Sequence, residues 1–134
     1  VDSSEAWRRV RTSPSGVLGT IDPDVGVHLV PVVFTVVGDS HVLVAVDSKP
    51  KRSRRLRRLE NIEADPRVTL LVDHYTDDWS RLWWVRLEGR ASVRSSVDAA
   101  TERAHRERYP QLDGHILGPW IDIAVDHVSG WSAT

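Results

Sequence analysis

Apolar and polar positions alternate in blocks along the 134 residues, and the period of the alternation changes from block to block. The polar opening, VDSSEAWRRV, predicts a short helix over residues 5–11, capped by Ser3 or Ser4, with Glu5 suited to the positive end of its dipole. Ser13-Pro14-Ser15-Gly16 breaks it. From residue 17 the period becomes two. Strands are predicted over 17–21, 27–37 and 41–46, separated by the turns Asp22-Pro23-Asp24-Val25-Gly26 and Gly38-Asp39-Ser40, so two hairpins follow one another. The 27–37 strand is apolar at both parities: His28, Val30, Val32, Phe34 and Val36 on one face, Leu29, Pro31, Val33 and Val37 on the other. Both faces need cover, which suits a small barrel that also lies against a cofactor or a second subunit. Pro31 has no N–H for a ladder and marks a bulge, an edge or an opening.

In the second half, Leu56, Leu59 and Ile62 recur at helical spacing and predict a helix over 53–64, stopped by Asp65-Pro66. Strands over 68–74 and 81–95 flank the polar turn Thr76-Asp77-Asp78. The second of these puts Leu82, Trp84 and Arg86 on one face and Trp83, Val85 and Leu87 on the other. A third helix ends before Pro110 and shows Val97, Ala100, Thr101, Ala104 and Arg108 on one face. A final half-buried strand alternates Ile121, Ile123 and Val125 with Asp122, Ala124 and Asp126. Six or so strands with helices inserted between them contain no βαβ series. The chain therefore reads as mainly β and mostly antiparallel, one barrel domain over residues 1–134 with peripheral helices.

Composition narrows the chemistry. Cysteine is absent, which excludes disulfides, thiolate catalysis and Cys-based zinc sites and fits a reducing cytoplasm. The N-terminus lacks the apolar core of a signal peptide, and the longest apolar run, around residues 29–37, is too short to span a bilayer. A soluble, cytoplasmic protein with no membrane partner is expected. No GxSxG elbow, HExxH or P-loop lysine motif is present. The histidines at 28, 41, 74, 105, 115 and 127 show no close ligand spacing; His28, His74 and His127 lie on predicted strands and could meet in space, but no metal site is expected.

Charge singles out residues 49–58. Seven of the eighteen cations lie there with no acid among them, leaving eleven cations against nineteen acids in the rest of the chain. One reading is a solvated basic helix face. Against it, the cations begin before the predicted helix, and no acid balances them until Glu60. Cations crowded at a helix start are locally unfavourable unless an anion shares the same free amides. Nucleic acid would supply such an anion, yet no Phe, Trp or Tyr follows the patch before Tyr75, so no stacking platform adjoins it, and the net charge of −1 disfavours it further. A phosphorylated small molecule fits better. Tryptophan is also over-represented, with Trp79, Trp83 and Trp84 clustered in DDWSRLWWVR; adjacent Trp83 and Trp84 point to opposite faces, one into the core and the other toward a ring system, a subunit or solvent.

Three runs carry a family likeness. LGTIDPDVGVHLVPVVF resembles the opening of the pyridoxamine-phosphate-oxidase-like split β-barrel flavoproteins. LRRLENIEADPRVTLLVD resembles their Lys-x-x-Asn-Leu-x-x-x-Pro-x-Val element, and DDWSRLWWVRLEGRA extends the likeness over most of residues 17–95. KPKRSRRLRRLENI and the segment DHYTDDWSRLWWVR are most similar to the branch that uses the deazaflavin coenzyme F420 rather than FMN. The resemblance implies a split barrel and a homodimer with cofactor sites at the subunit interface. It implies hydride transfer between reduced deazaflavin and a small unsaturated substrate. An FMN-dependent oxidase or reductase is the alternative, as is a barrel that only carries a cofactor or tetrapyrrole. By position, Arg58 replaces the family lysine three residues before Asn61, and Lys51, Arg52 and Arg55 are further anion-binding candidates. Val30, Pro31, Val32 and Val33, with Ala45, Val46, Asp47 and Ser48, would approach the ring; Trp79 and Arg81 would reach it from the neighbouring subunit. Proton-donor candidates are His28, His74 and Tyr75. Val25 lengthens the first turn and Lys49 to Arg52 resemble an insertion.

Overall fold

Alternation of period two carries through seven strands in the computed structural model, which describes residues 1–48 and 56–134. The elements run α1 (Ser3–Thr12), β1 (Gly16–Asp22), β2 (Gly26–Val32), β3 (Thr35–Val37), β4 (His41–Ser48), α2 (Arg57–Ala64), β5 (Arg67–His74), β6 (Trp83–Arg94), α3 (Ala99–Arg108) and β7 (Ile116–Ser132). All pairings are antiparallel and form one sheet in the order β2-β1-β5-β6-β7-β4-β3. Its two edges, β2 and β3, are consecutive in the chain and joined only by Val33 and Phe34. A link that short spans no more than about 10 Å, so the sheet must roll until its edges come together. The result is a barrel with a gap between β2 and β3.

The expected single strand over 27–37 is thus two strands. Phe34 explains the break: it is buried, and its backbone bonds to the Tyr109 hydroxyl rather than to a strand. The hydroxyl accepts from the Phe34 amide at 3.3 Å and from Arg108 Nε at 2.9 Å, and its hydrogen is shared between the carbonyls of Phe34 and Pro14. Pro31 faces outward on edge strand β2, opposite Val17, where its missing N–H costs the ladder nothing.

Alternate residues of each strand fill one core. Leu18, Leu70, Leu87, Ile121 and Ile123 are fully buried at its centre. Helix α1 closes one end with Ala6, Trp7 and Val10, and α2 packs Leu59 and Ile62 against β1 and β6. The cap of α1 is Asp2, whose Oδ1 accepts from the Glu5 amide at 2.8 Å, so the helix begins earlier than expected from Ser3 or Ser4. The expected final strand, 121–126, proves to be the middle of a 17-residue strand that pairs with β4 on one side and β6 on the other. Gly118, Pro119, Ser129 and Gly130 hide its ends from a propensity reading. The β6–β7 register shifts at Glu88/Gly89, and a Cβ on Gly89 would meet the Ala124 carbonyl oxygen at 2.1 Å, so only glycine fits the bulge.

Helix α3 differs in its buried face. Thr101 is buried as expected, but Ala100 and Ala104 are exposed and His105 is buried instead. Apolar periodicity missed this because the most buried position holds a histidine. His105 Nδ1 shares a 2.7 Å hydrogen bond with Thr35 Oγ1, and its ring packs against Tyr109 and Trp120. Its Nε2 is buried without a partner. Burial, followed by the charges of Arg106 and Arg108, lowers its pKa from 6.5 to about 4. The folded state therefore holds fewer protons than the unfolded state between these values. This contribution is complete above pH 6.5 and is lost as the pH falls toward 4, by up to about 3 kcal/mol. His105→Gln, which does not titrate, should show a flatter melting temperature than the wild type across that interval. Equal slopes for the two proteins would show that His105 is not held neutral.

Candidate functional site

The gap in the barrel is built by strand lengths. β3 pairs only with residues 41–43 of β4, whereas β4 continues to Ser48 with a partner on the β7 side alone. Residues 44–48 therefore turn their other edge toward the split. Of the residues expected near a ring, the structure brings Ala45, Val46, Asp47 and Ser48 together on this free edge, with Val32 and Val33 at the end of β2. Val32 and Val46 are buried, Val33 and Ala45 half-buried, and Asp47 exposed. A register shift between Ala45 and Asp47 releases Val46 from the ladder. His115, which no sequence motif marks, donates from Nδ1 to Asp47 Oδ2 at 2.8 Å. The β4–β7 register, not sequence proximity, brings the two together.

Helix α2 begins within the basic stretch, at Arg57. Lys51, Arg52 and Arg55 lie outside the described residues. Arg57 reaches Asp22 at 3.5 Å and Asp24 at 3.8 Å. Asp22 is buried in the first turn, and its carboxyl is held below the usual range chiefly by the Asp24 amide, then by that of Val25, with Arg57 and His28 adding to them against the effect of burial. Arg58 is different. It is half-buried, its Nε is buried with no acceptor among the described residues, and desolvation lowers its pKa. A buried guanidinium N–H without an acceptor is costly. An anionic oxygen would satisfy it, so Arg58 fits a phosphate-bearing cofactor on its own geometry. Asn61 is buried and donates from Nδ2 to Thr20 Oγ1 at 3.0 Å, which ties α2 to β1.

The remaining candidates are scattered. Trp79 is exposed on the turn between β5 and β6, whereas Arg81 lines a recess with Arg8 and Arg9 of its own chain. His28 has a buried, unpartnered Nδ1; His74 stacks on Trp83; Tyr75 and His127 are exposed. Among the described residues, no group of three or more His, Asp or Glu is arranged to hold a metal. No helix among them is long and apolar enough to cross a membrane.

The outer face of the sheet is bare. Val27 is 71% exposed and Leu29 65%, and with Val17, Ile21 and Leu71 they line a groove of about 830 Å³ that ends in charged residues of β6. Beside it Leu71, Trp84, Arg86 and Trp131 line a smaller hollow of about 320 Å³, with Arg86 5.2 Å above the Trp84 ring.

A split antiparallel barrel with an unpaired strand edge, together with a buried arginine lacking an acceptor among the described residues, defines a class of cofactor-binding domain. The model of the pyridoxamine 5'-phosphate oxidase family matches residues 3–132, and the chain belongs to this family of flavin-binding oxidoreductases. The fold is similar to that of the conserved hypothetical protein Rv2991 from Mycobacterium tuberculosis (TM-score 0.78, 23% identity, 99% of this chain and 86% of that one). It is also similar to an FAD-binding protein from Mesorhizobium loti (0.70, 20%, 97% and 92%) and to the FAD-binding protein from Mycobacterium smegmatis (0.63, 16%, 98% and 96%). No curated protein matches in sequence.

An orphaned buried charge favours ligand binding at the expense of stability. Arg58→Met should leave the ligand-free protein as stable as the wild type or up to about 2 kcal/mol more stable in urea unfolding. A loss above about 1 kcal/mol would mean that Arg58 has a structural partner.

Proposed function

We propose that the protein is a cytoplasmic, homodimeric F420-dependent oxidoreductase that reduces a small unsaturated organic molecule. Family membership supports a flavin-type cofactor, and the cationic stretch is the observation that favours F420. FMN presents one phosphate, whereas F420 presents a phosphate and an acidic tail, a better match for seven cations in ten residues. When bound, the reduced deazaflavin supplies a hydride to an electron-poor double bond.

The chain supplies position and electrostatics. Arg58 holds the phosphate through its otherwise unpartnered Nε, and the cations at 51, 52 and 55 hold the remaining negative charge. The free edge of residues 45–48 orients the ring through backbone groups that no strand on the split side engages. A second subunit covers the outer face, burying Val27 and Leu29 and excluding water from the site. FMN remains the second reading, because two similar solved structures are FAD-binding proteins.

Titration with F420 and with FMN, followed by tryptophan fluorescence, separates the readings. Micromolar F420 binding that weakens as salt is raised, with no FMN response, is expected; tight binding of FMN alone would overturn the proposal. For the dimer, wild-type protein should sediment as a dimer at tens of micromolar (order of magnitude for an interface of standard size), and V27E/L29E as a monomer. A monomeric wild type would contradict the shared site.

A further inference from the structure

Away from the bare outer face, a second recess opens at the end of the barrel interior. Helix α1, the β5–β6 hairpin and the end of β7 enclose about 460 Å³ there. His74 and Trp83 are register partners on the same side as the buried pair Val72 and Val85, so they form the floor. The rings of His74 and Trp83 stack with centroids 6.3 Å apart and planes 16° from parallel. Three arginines, Arg8, Arg9 and Arg81, line the recess together with the hydroxyl residues Ser80 and Ser132, and no acid is among its lining residues.

Arg9 is fixed in place. Its Cζ lies 5.3 Å from the centre of the Trp83 ring, its Nε donates to Glu5 at 2.9 Å, and its side chain is only 18% exposed. Yet its Nη1 is buried without an acceptor among the described residues. The dipole of α1 accounts for basic residues in its last turn, but not for a guanidinium nitrogen withdrawn from water and left unpaired. Glu5 cannot supply the missing acceptor. Its one carboxylate is already shared by Arg8 and Arg9, whose hydrogen bonds hold its pKa down to about 2. Glu5, and Asp78 near Arg81, lie beside these three guanidinium groups without bonding to Arg9 Nη1.

We propose that this recess binds the oxyanion end, carboxylate or phosphate, of a small molecule, with Arg9 Nη1 as its buried donor and Arg8 and Arg81 at its sides. The site is separate from the split and does not depend on which flavin-type cofactor occupies it. It also gives Arg81 a place within its own chain. Arg8 and Arg9, both hydrogen-bonded to Glu5, present neighbouring guanidinium donors of the kind that carboxylates and phosphates prefer.

Isothermal titration of the full chain at low salt, with inorganic phosphate in one arm and glutarate in the other, tests the proposal and distinguishes the two chemistries. Saturable binding of at least one probe is expected, weakened about tenfold or more in Arg9→Gln through loss of a charge-assisted hydrogen bond. Arg8→Glu, at an exposed position, should weaken it similarly and carries the test should R9Q fail to fold. Absence of saturable binding by the wild type overturns the proposal. So does binding that persists in both variants, or that disappears in Arg58→Met instead, which would place the anion at the split.

Discussion

Two edges of one sheet, joined by two residues, govern this molecule. Because Val33 and Phe34 must bridge β2 and β3, the sheet has to roll up. Because Phe34 gives its backbone groups to the Tyr109 hydroxyl, the barrel does not close there. Arg108 reinforces the arrangement by donating to the carbonyls of Arg11 and Ser13, beside the Pro14 carbonyl that Tyr109 also engages. Helices α1 and α3 thereby meet at the split. The free edge of β4 follows from the same constraint, since it lies where no seventh pairing forms.

Buried polar groups in this chain fall into two kinds. Asn61 bonds to Thr20, and His105 bonds through Nδ1 to Thr35, and each bond locates a helix against a strand. Arg58 and Arg9 each keep a buried donor that has no acceptor among the described residues. The first kind contributes about 1 kcal/mol per bond to the fold. The second kind costs stability in the free protein and is explained by ligand chemistry. The two arginines lie on different helices, α2 and α1, so the same argument leads to two distinct places.

Much of the architecture was legible from pattern. Strand patterning located β1, β4 and β5, cap and charge signals found α1, and apolar spacing found α2 and α3. Pro31 correctly marked an edge. Failures came where a polar or flexible residue occupies a structural position: His105 at the centre of the α3 face, Gly118 and Gly130 within β7, and Phe34 at a break inside an apolar run. Hydrophobic periodicity cannot report a buried histidine satisfied by a threonine 70 positions away in the chain.

The sequence by itself determined the antiparallel β character, the helix positions, the concentration of cations before α2 and the family likeness, because each depends on neighbours within a few residues. Tertiary structure alone decided that 27–37 is two sheet edges, that Asp47 meets His115, that Asn61 is committed to Thr20, and that Arg81 joins Arg8 and Arg9 rather than Trp79. Those outcomes depend on register and on how the sheet rolls. A hydrogen bond or ion pair between residues 41 to 68 positions apart leaves no periodic trace in the chain, since its energy is set by where two strands or helices arrive and not by the residues beside them.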